Sequence, residues 1–106
     1  MKSILILSYN IFYLNLIFNK ISTIYYSYKN LDYIFYNENI NNITKATLDK
    51  YNLTILIYTN DIELEYFNFL IRNFNIKIQS YLPCNNFIKM NKLEKLNNII
   101  ISCNNC

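Results

Sequence analysis

Residues Tyr51 to Pro83, YNLTILIYTNDIELEYFNFLIRNFNIKIQSYLP, decide the fold of this chain, because they contain a complete strand–helix–strand pattern. Residues 53–59 are a β-branched and aliphatic run of strand length. Asn60 stands at an N-cap position, and Glu63 follows where the acid of a capping box is found. Acidic residues in the first turn and Arg72 in the last turn complement the helix dipole. The stretch therefore predicts a strand over 53–59 and a helix over 61–74.

The predicted helix carries an apolar face, and a second strand follows it. Apolar residues recur at helical spacing, and these are Ile62, Tyr66, Phe69, Leu70 and Phe74. From Ile76 the hydrophobic period falls to two, which predicts a strand over 76–82. Pro83, the single proline, ends this strand because it cannot donate a hydrogen bond to a ladder. A helix that joins two strands of one sheet implies a right-handed crossover.

The residues after Pro83 predict a shortened repeat of this order. Cys84-Asn85-Asn86 is interpreted as a loop, residues 87–90 as a short strand, 91–98 as a short helix and 99–102 as a last strand. Residues 44–50 are expected to form a helical turn that leads into the first strand. We therefore expect an α+β domain over residues 43–106, built on a ferredoxin-like split βαβ unit.

Residues 1–42 are expected to form an N-terminal hydrophobic arm, which ends in the loop NENINN at 37–42. Residues 3–19 carry no charge, but Asn10, Asn15 and Asn19 interrupt the run. The apolar runs are shorter than the roughly 20 residues that a membrane helix needs, and no small-residue cleavage site of a signal peptide follows them. A buried strand or helix is the preferred interpretation, and a membrane segment is the alternative.

The composition indicates an AT-rich gene. The 106 residues include no glycine, histidine or tryptophan, and Asn, Ile, Tyr and Lys dominate. These residues have A- and T-rich codons, so we infer the genome of an organelle or a reduced endosymbiont. Asparagine tolerates the left-handed backbone region better than other non-glycine residues. Asparagine pairs at 41–42, 85–86 and 97–98 are therefore expected to make the turns.

The sequence shows no catalytic constellation. It has no histidine to act as a general base and no glycine-rich phosphate loop, so we expect no enzyme, cofactor or small-molecule substrate. Cys103 and Cys106 form a C-x-x-C pair, which is half of a zinc site, and Cys84 offers a third ligand. No histidine can complete the site, so we expect no metal unless a neighbouring chain contributes. Three cysteines do not suit a secreted disulfide framework and favour a reducing compartment.

The net charge of +3 is small, but basic residues concentrate in the C-terminal third. A polyanion is a reasonable partner for this segment, and a solvated surface is the alternative. Tyrosines of residues 21–36 lie near Lys20 and Lys29, where they can stack on RNA bases. Half-buried strand positions are the preferred interpretation of these tyrosines.

The strand–helix–strand unit resembles the family of small-subunit ribosomal protein ten in a diverged organellar form. LTILIYTND (53–61) is similar to the first strand and helix start of that family, and LEYFNFLIRNF (64–74) to its helix. IKIQSYLP (76–83) resembles the strand that enters its proline-containing loop, and KLEKLNNIIIS (92–102) a reduced last helix and strand. The family's glycines before the loop are absent here, where Ser80 and Tyr81 stand, and its basic, histidine-containing segment is missing.

The resemblance implies a structural constituent of the small subunit of a mitochondrial ribosome in the matrix, bound to ribosomal RNA and to other small-subunit proteins. The loop at 83–92 would extend into the RNA. The implied RNA-binding residues are Arg72, Lys77, Lys89 and Lys92 at phosphates, and Asn85 and Asn86 at sugar or phosphate oxygens. The alternatives are a small organelle-encoded accessory subunit of a membrane (respiratory) complex and a module that pairs a strand edge with a protein partner.

Overall fold

The computed structural model describes residues 3–24, 30–35, 43–89 and 98–103. The elements, in chain order, are β1 (Ser3–Ser8), α1 (Ile11–Ile24), β2 (Asn30–Phe35), α2 (Lys45–Asp49), β3 (Leu53–Tyr58), α3 (Asp61–Phe74), β4 (Ser80–Pro83), α4 (Cys84–Lys89) and β5 (Asn98–Ser102). These strands form one five-stranded sheet in the order β2-β1-β3-β5-β4. Every pairing in the sheet is parallel.

Helices cover both faces of the sheet. Ile4 and Ile6 of β1 belong to the core cluster that includes α1 and α4, whereas Leu5 and Leu7 belong to the cluster that includes α2 and α3. This alternation follows from the two-residue period of a strand. Because both faces are covered, the central strands carry continuous apolar runs, as ILIL in β1 and ILIY in β3 show.

The crossovers that carry α1 and α3 share one hand. α1 packs on one face while the chain steps from β1 to β2, and α3 packs on the other face while the chain steps in the opposite direction from β3 to β4. A crossover keeps its hand when both the covered face of the sheet and the direction of the step are reversed. The two connections therefore agree with the rule that crossovers between parallel strands have one hand. The strand order reverses between β1 and β3.

The predicted strand–helix–strand unit is confirmed. α3 spans the predicted residues, and β3 begins at the predicted residue. β5 lies between β3 and β4, so the unit is a split βαβ and the α+β prediction holds. β5 runs parallel to both neighbours, whereas the strand inserted in an ordinary ferredoxin-like unit is antiparallel. The last predicted strand and the helical turn before β3 are also confirmed, as β5 and α2.

The prediction of an N-terminal arm is wrong. β1 pairs with β2 on one side and with β3 on the other, so residues predicted to precede the domain form part of its sheet. Ile4, Leu5, Ile6 and Leu7 are fully buried there. The uncharged N-terminal run supplies a central strand and the helix that covers it, which confirms its interpretation as a buried strand and helix. None of the described helices is long and apolar enough to span a membrane.

The segment after β4 is helical where a loop and a strand were predicted. Cys84–Lys89 forms α4, so the loop predicted at 84–86 and the strand predicted from 87 are wrong as far as residue 89. Cys84 and Phe87 are three residues apart and are both buried in the core, which a helical turn allows. Residues 91–97 of the helix predicted over 91–98 lie outside the described residues, and Asn98 begins β5. β4 is shorter than predicted, although burial alternates from Ile76 onward.

α3 is rotated relative to the prediction. Phe67 and Leu70 are its buried residues, whereas Ile62, Tyr66 and Phe69, which were predicted to face the sheet, are 64%, 43% and 48% exposed. The helix has apolar residues on more than one side, so periodicity alone did not select the inner face. Leu70 lies on the inner face as predicted.

The start of α3 confirms the predicted N-cap, and its end carries a cap that was not predicted. Oδ1 of Asn60 accepts a hydrogen bond from the backbone N–H of Glu63 at 2.9 Å. The Glu63 carboxylate accepts from the backbone N–H of Thr59 at 3.0 Å, one residue earlier than in a standard capping box. At the other end, Asn75 has φ 52° and ψ 46°, which is the left-handed conformation. Asparagine thus replaces glycine at a helix end that the sequence interpretation did not name.

Candidate nucleic-acid interface

The carboxyl edge of the sheet is where open parallel sheets usually bind ligands, at the point where the strand order reverses. Here that edge is occupied by the protein's own side chains. Oδ1 of Asn10 accepts from the backbone N–H groups of Phe12 and Tyr13 at 2.9 and 3.3 Å, and the buried Ser8 hydroxyl donates to the Asn10 carbonyl at 3.2 Å. Amide groups that would bind a phosphate in a nucleotide-binding fold therefore donate within the chain.

Tyr9 lies at the same edge and packs against α3. Its ring centroid is 6.0 Å from that of Tyr66 and 5.6 Å from that of Phe67. Burial raises the pKa of the Tyr9 phenol to about 12, with further contributions from Tyr66 and Glu63. The phenol is therefore neutral at physiological pH, and the ring joins the end of β1 to the start of α3.

The amino edge of the sheet carries an open concave surface of about 440 Å³, which we call the amino-edge surface. It is formed by α2, the start of β3, the end of α3 and the start of β5. The polar side chains that line it are Lys45, Asp49, Tyr51, Asn52, Thr54, Asn75, Lys77 and Asn98.

Local hydrogen bonds hold the lysine-bearing segments in place. Oδ1 of Asn98 accepts from the backbone N–H of Thr54 at 3.0 Å, and its Nδ2 donates to the carbonyl of Lys77 at 3.0 Å. This side chain therefore ties the Lys77 segment to the first residues of β3 and β5. Oγ1 of Thr44 accepts from the backbone N–H of Thr47 at 3.3 Å and caps α2, which carries Lys45 in its first turn.

The amino-edge surface combines cations with two aromatic rings, Tyr51 and Phe74, and several amides. Lys45 and Lys77 are exposed and Tyr51 is half-buried. Ammonium groups bind phosphates, amides bind sugar and phosphate oxygens, and a tyrosine ring can stack on a base. Asp49 opposes part of this positive charge. The arrangement is chemically suited to a single-stranded nucleic acid.

The structure separates the residues that the sequence predicted to bind RNA. Lys77 lies on the amino-edge surface, and Arg72 is exposed in the last turn of α3. Asn85, Asn86 and Lys89 are exposed on α4, which packs on the opposite face of the sheet from α3. Lys92 lies outside the described residues. The loop predicted at 83–92 is therefore wrong as far as Lys89, because residues 84–89 are helical, and RNA contact by these residues stays a prediction.

Sequence reasoning missed most of the amino-edge surface. Lys45, Tyr51 and Asn52 precede the predicted core strand and carry no motif of their own. They approach Lys77 because β5 inserts between β3 and β4 and α3 returns the chain to the amino edge. Of these lining residues, Asn75 could have been recognised as a helix end, because asparagine directly after an apolar helix is a common C-terminal cap.

Two of the cysteines belong to the same core cluster. Pro83 pairs with Ser102 in the register of β4 and β5, and Cys84 and Cys103 are the residues that follow this pair. Both are buried in the cluster beneath α1 and α4. Cys106 lies outside the described residues, and no group of three or more metal-binding side chains forms within the ranges that the structure describes.

Comparison with known protein families, curated proteins and solved structures gave no match for this chain. The resemblance to the family of small-subunit ribosomal protein ten therefore has only the residues quoted above to support it.

Proposed function

We propose that this protein is a structural, RNA-contacting constituent of the small subunit of an organellar ribosome. The observation that supports RNA contact is the convergence of Lys45, Lys77 and Tyr51 on the amino-edge surface. Lysine–phosphate contacts and base stacking bind RNA without reading its sequence, as a structural constituent requires. The choice of the ribosome and of the mitochondrial matrix rests on the resemblance of residues 52–102 and on the AT-rich composition.

We assign the main RNA contact to the amino-edge surface, which Arg72 does not line. This replaces the loop that the resemblance implied at 83–92, because residues 84–89 are helical. Asn85, Asn86 and Lys89 would meet RNA, if at all, as a second contact from the opposite face of the sheet.

Exposed apolar residues at the carboxyl edge support membership of an assembly. Ile11 and Phe12, in the first turn of α1, are 52% and 66% exposed. Adjacent large apolar side chains in water are typical of surfaces that a partner covers. In the proposed particle, neighbouring small-subunit proteins cover this edge.

The first experiment is sedimentation of an organelle lysate in mild detergent. We expect the protein to migrate with the small ribosomal subunit and to leave that position after nuclease treatment. Migration with a nuclease-resistant membrane complex would reject the ribosomal proposal in favour of the accessory subunit of a respiratory complex.

The second experiment locates the RNA contact with purified protein and small-subunit ribosomal RNA. The salt dependence of binding reports the number of phosphates neutralised, with a slope of about 0.7–0.9 per contact. We expect the double variant Lys45→Glu/Lys77→Glu to lower the slope by about 1.5 and to weaken binding. Lys89→Glu, a charge reversal on the opposite face of the sheet, is compared with the single variants Lys45→Glu and Lys77→Glu and should lower the slope less than either of them. A loss of binding in Lys89→Glu alone would move the contact to α4.

A further inference from the structure

The outward side of α3 carries a stripe in which two apolar residues alternate with two charged residues. Ile62 and Phe69 are 64% and 48% exposed, and Glu65 and Arg72 complete the same stripe at helical spacings of three and four residues. An open groove of about 790 Å³ runs along this side, lined by Glu65, Tyr66, Asn68, Phe69, Ile71 and Arg72. Exposed side chains of this size on a helix face indicate a docking surface.

The charges on this stripe have opposite signs on either side of its apolar centre. Glu65 precedes Phe69 by four residues and Arg72 follows it by three, which corresponds to about 6 and 4.5 Å along the helix axis. Phe69 therefore lies close to the midpoint between one negative and one positive group. Within the part of the chain that the structure describes, neither charge takes part in an ion pair.

We propose that this face binds a second copy of the same chain, with the two α3 helices antiparallel about a two-fold axis near Phe69. The symmetry of such an interface makes every contact occur twice. Glu65 of each copy then lies opposite Arg72 of the other, and the two Phe69 rings meet at the centre. Ile62 and Tyr66 extend the apolar contact on either side.

The charge pattern favours an antiparallel second copy over a parallel second copy or an unrelated partner. A parallel pairing would place Glu65 against Glu65 and Arg72 against Arg72, and like charges at an interface oppose association. A partner of unrelated sequence would need the reverse order of charges, which the antiparallel second copy supplies. One pair of helices buries less than the roughly 1,000 Å² of a robust interface, so we expect a weak dimer with a Kd in the micromolar range.

The inference does not depend on the proposed function. The groove on the outward side of α3 and the amino-edge surface have no lining residue in common. Glu65→Arg tests self-association without removing a positive charge that RNA contact would use.

Sedimentation velocity of the purified full chain over a range of concentrations tests the dimer. We expect a reversible monomer–dimer equilibrium, with the Kd raised at least about tenfold in Glu65→Arg and in Arg72→Glu. The exchanged double variant Glu65→Arg/Arg72→Glu should recover the dimer, because both ion pairs reform with reversed polarity. Lys89→Glu controls for a change of net charge away from α3, and circular dichroism confirms that each variant is folded.

Two results would overturn the inference. One is a chain that stays monomeric up to millimolar concentration. The other is a dimer in which the double variant associates no better than the single variants, because this outcome excludes the reciprocal Glu65–Arg72 pairs. High salt should also weaken the dimer, since exposed ion pairs are screened within a few ångströms at about 1 M ionic strength.

Discussion

Phe67 and Phe69 stand two residues apart on α3 and provide a matched test of the rotation of that helix. Phe67 is fully buried in the core between α3 and the sheet, whereas Phe69 is 48% exposed. Replacement of Phe67 by alanine removes a buried ring and leaves a cavity, which costs about 3–5 kcal/mol. The same replacement at Phe69 removes a ring that is half in water, and we expect a cost below about 1 kcal/mol.

Urea unfolding followed by circular dichroism measures both costs. The protein is kept dilute, below the expected Kd of the dimer, so that the loss of self-association at Phe69 does not contribute. With a urea dependence of about 2 kcal/mol per M, Phe67→Ala lowers the midpoint by about 2 M and Phe69→Ala by less than about 0.5 M. Phe67→Leu keeps most of the volume and should recover most of the stability.

The result that refutes the reasoning is the reverse order. If Phe69→Ala costs as much as Phe67→Ala or more, Phe69 faces the sheet as the periodicity predicted, and the outward stripe of α3 does not exist. A Phe67→Ala variant that is unfolded in buffer agrees with the expectation, because small domains are stable by only about 5–15 kcal/mol. Phe67→Leu then supplies the measurable comparison.

Three further perturbations test other parts of the structure. Asn60→Ala removes the cap of α3 and should lower the unfolding free energy by about 1 kcal/mol, measured by urea titration; an unchanged midpoint would contradict the capping geometry. Tyr9 keeps its proton in the folded state up to about pH 12 and loses it near pH 10 when unfolded, so the stabilisation present below pH 10 is lost between pH 10 and 12. A pKa shift of two units corresponds to about 2.7 kcal/mol in the free energy of unfolding, and solvent at this half-buried ring reduces it to about 1 kcal/mol. Tyr9→Phe should remove this part of the alkaline unfolding transition. Cys84 and Cys103 are buried, so peptide mass spectrometry should find them alkylated slowly in buffer and rapidly in denaturant; rapid labelling in buffer would show that α4 opens readily.

Elements defined by neighbouring residues were predictable. The cap at Asn60, the length of α3 and the end of β4 at Pro83 depend on residues that lie within a few positions of each other, and all three are confirmed. The strand at 99–102 was recognisable for the same reason, since a short apolar run between polar residues suits a buried parallel strand. The segment after Pro83 misled the prediction because asparagines favour loops, whereas the burial of Phe87 selects a helix.

The candidate interface was only partly predictable. Lys77 and Arg72 were named from the local excess of basic residues, but Lys45 and Tyr51 come from a segment that gave no signal. The amino-edge surface exists because β3 and β5 start side by side, and no local pattern encodes which strands are neighbours. Asn85, Asn86 and Lys89, which the resemblance grouped with Lys77, lie on α4, and the sheet separates α4 from α3.

The sequence by itself determined the strand–helix–strand unit and the N-cap at Asn60, because hydrogen bonds between near neighbours and the hydrophobic period act over a few residues. Only the tertiary structure decided that β1 lies next to β3 and that β5 enters between β3 and β4. It also decided which side of α3 is buried. These choices depend on which apolar surfaces cover each other across long stretches of chain, and several orders of parallel strands satisfy the same local pattern. The burial of β1 between two strands converts an apparent hydrophobic arm into the centre of the sheet.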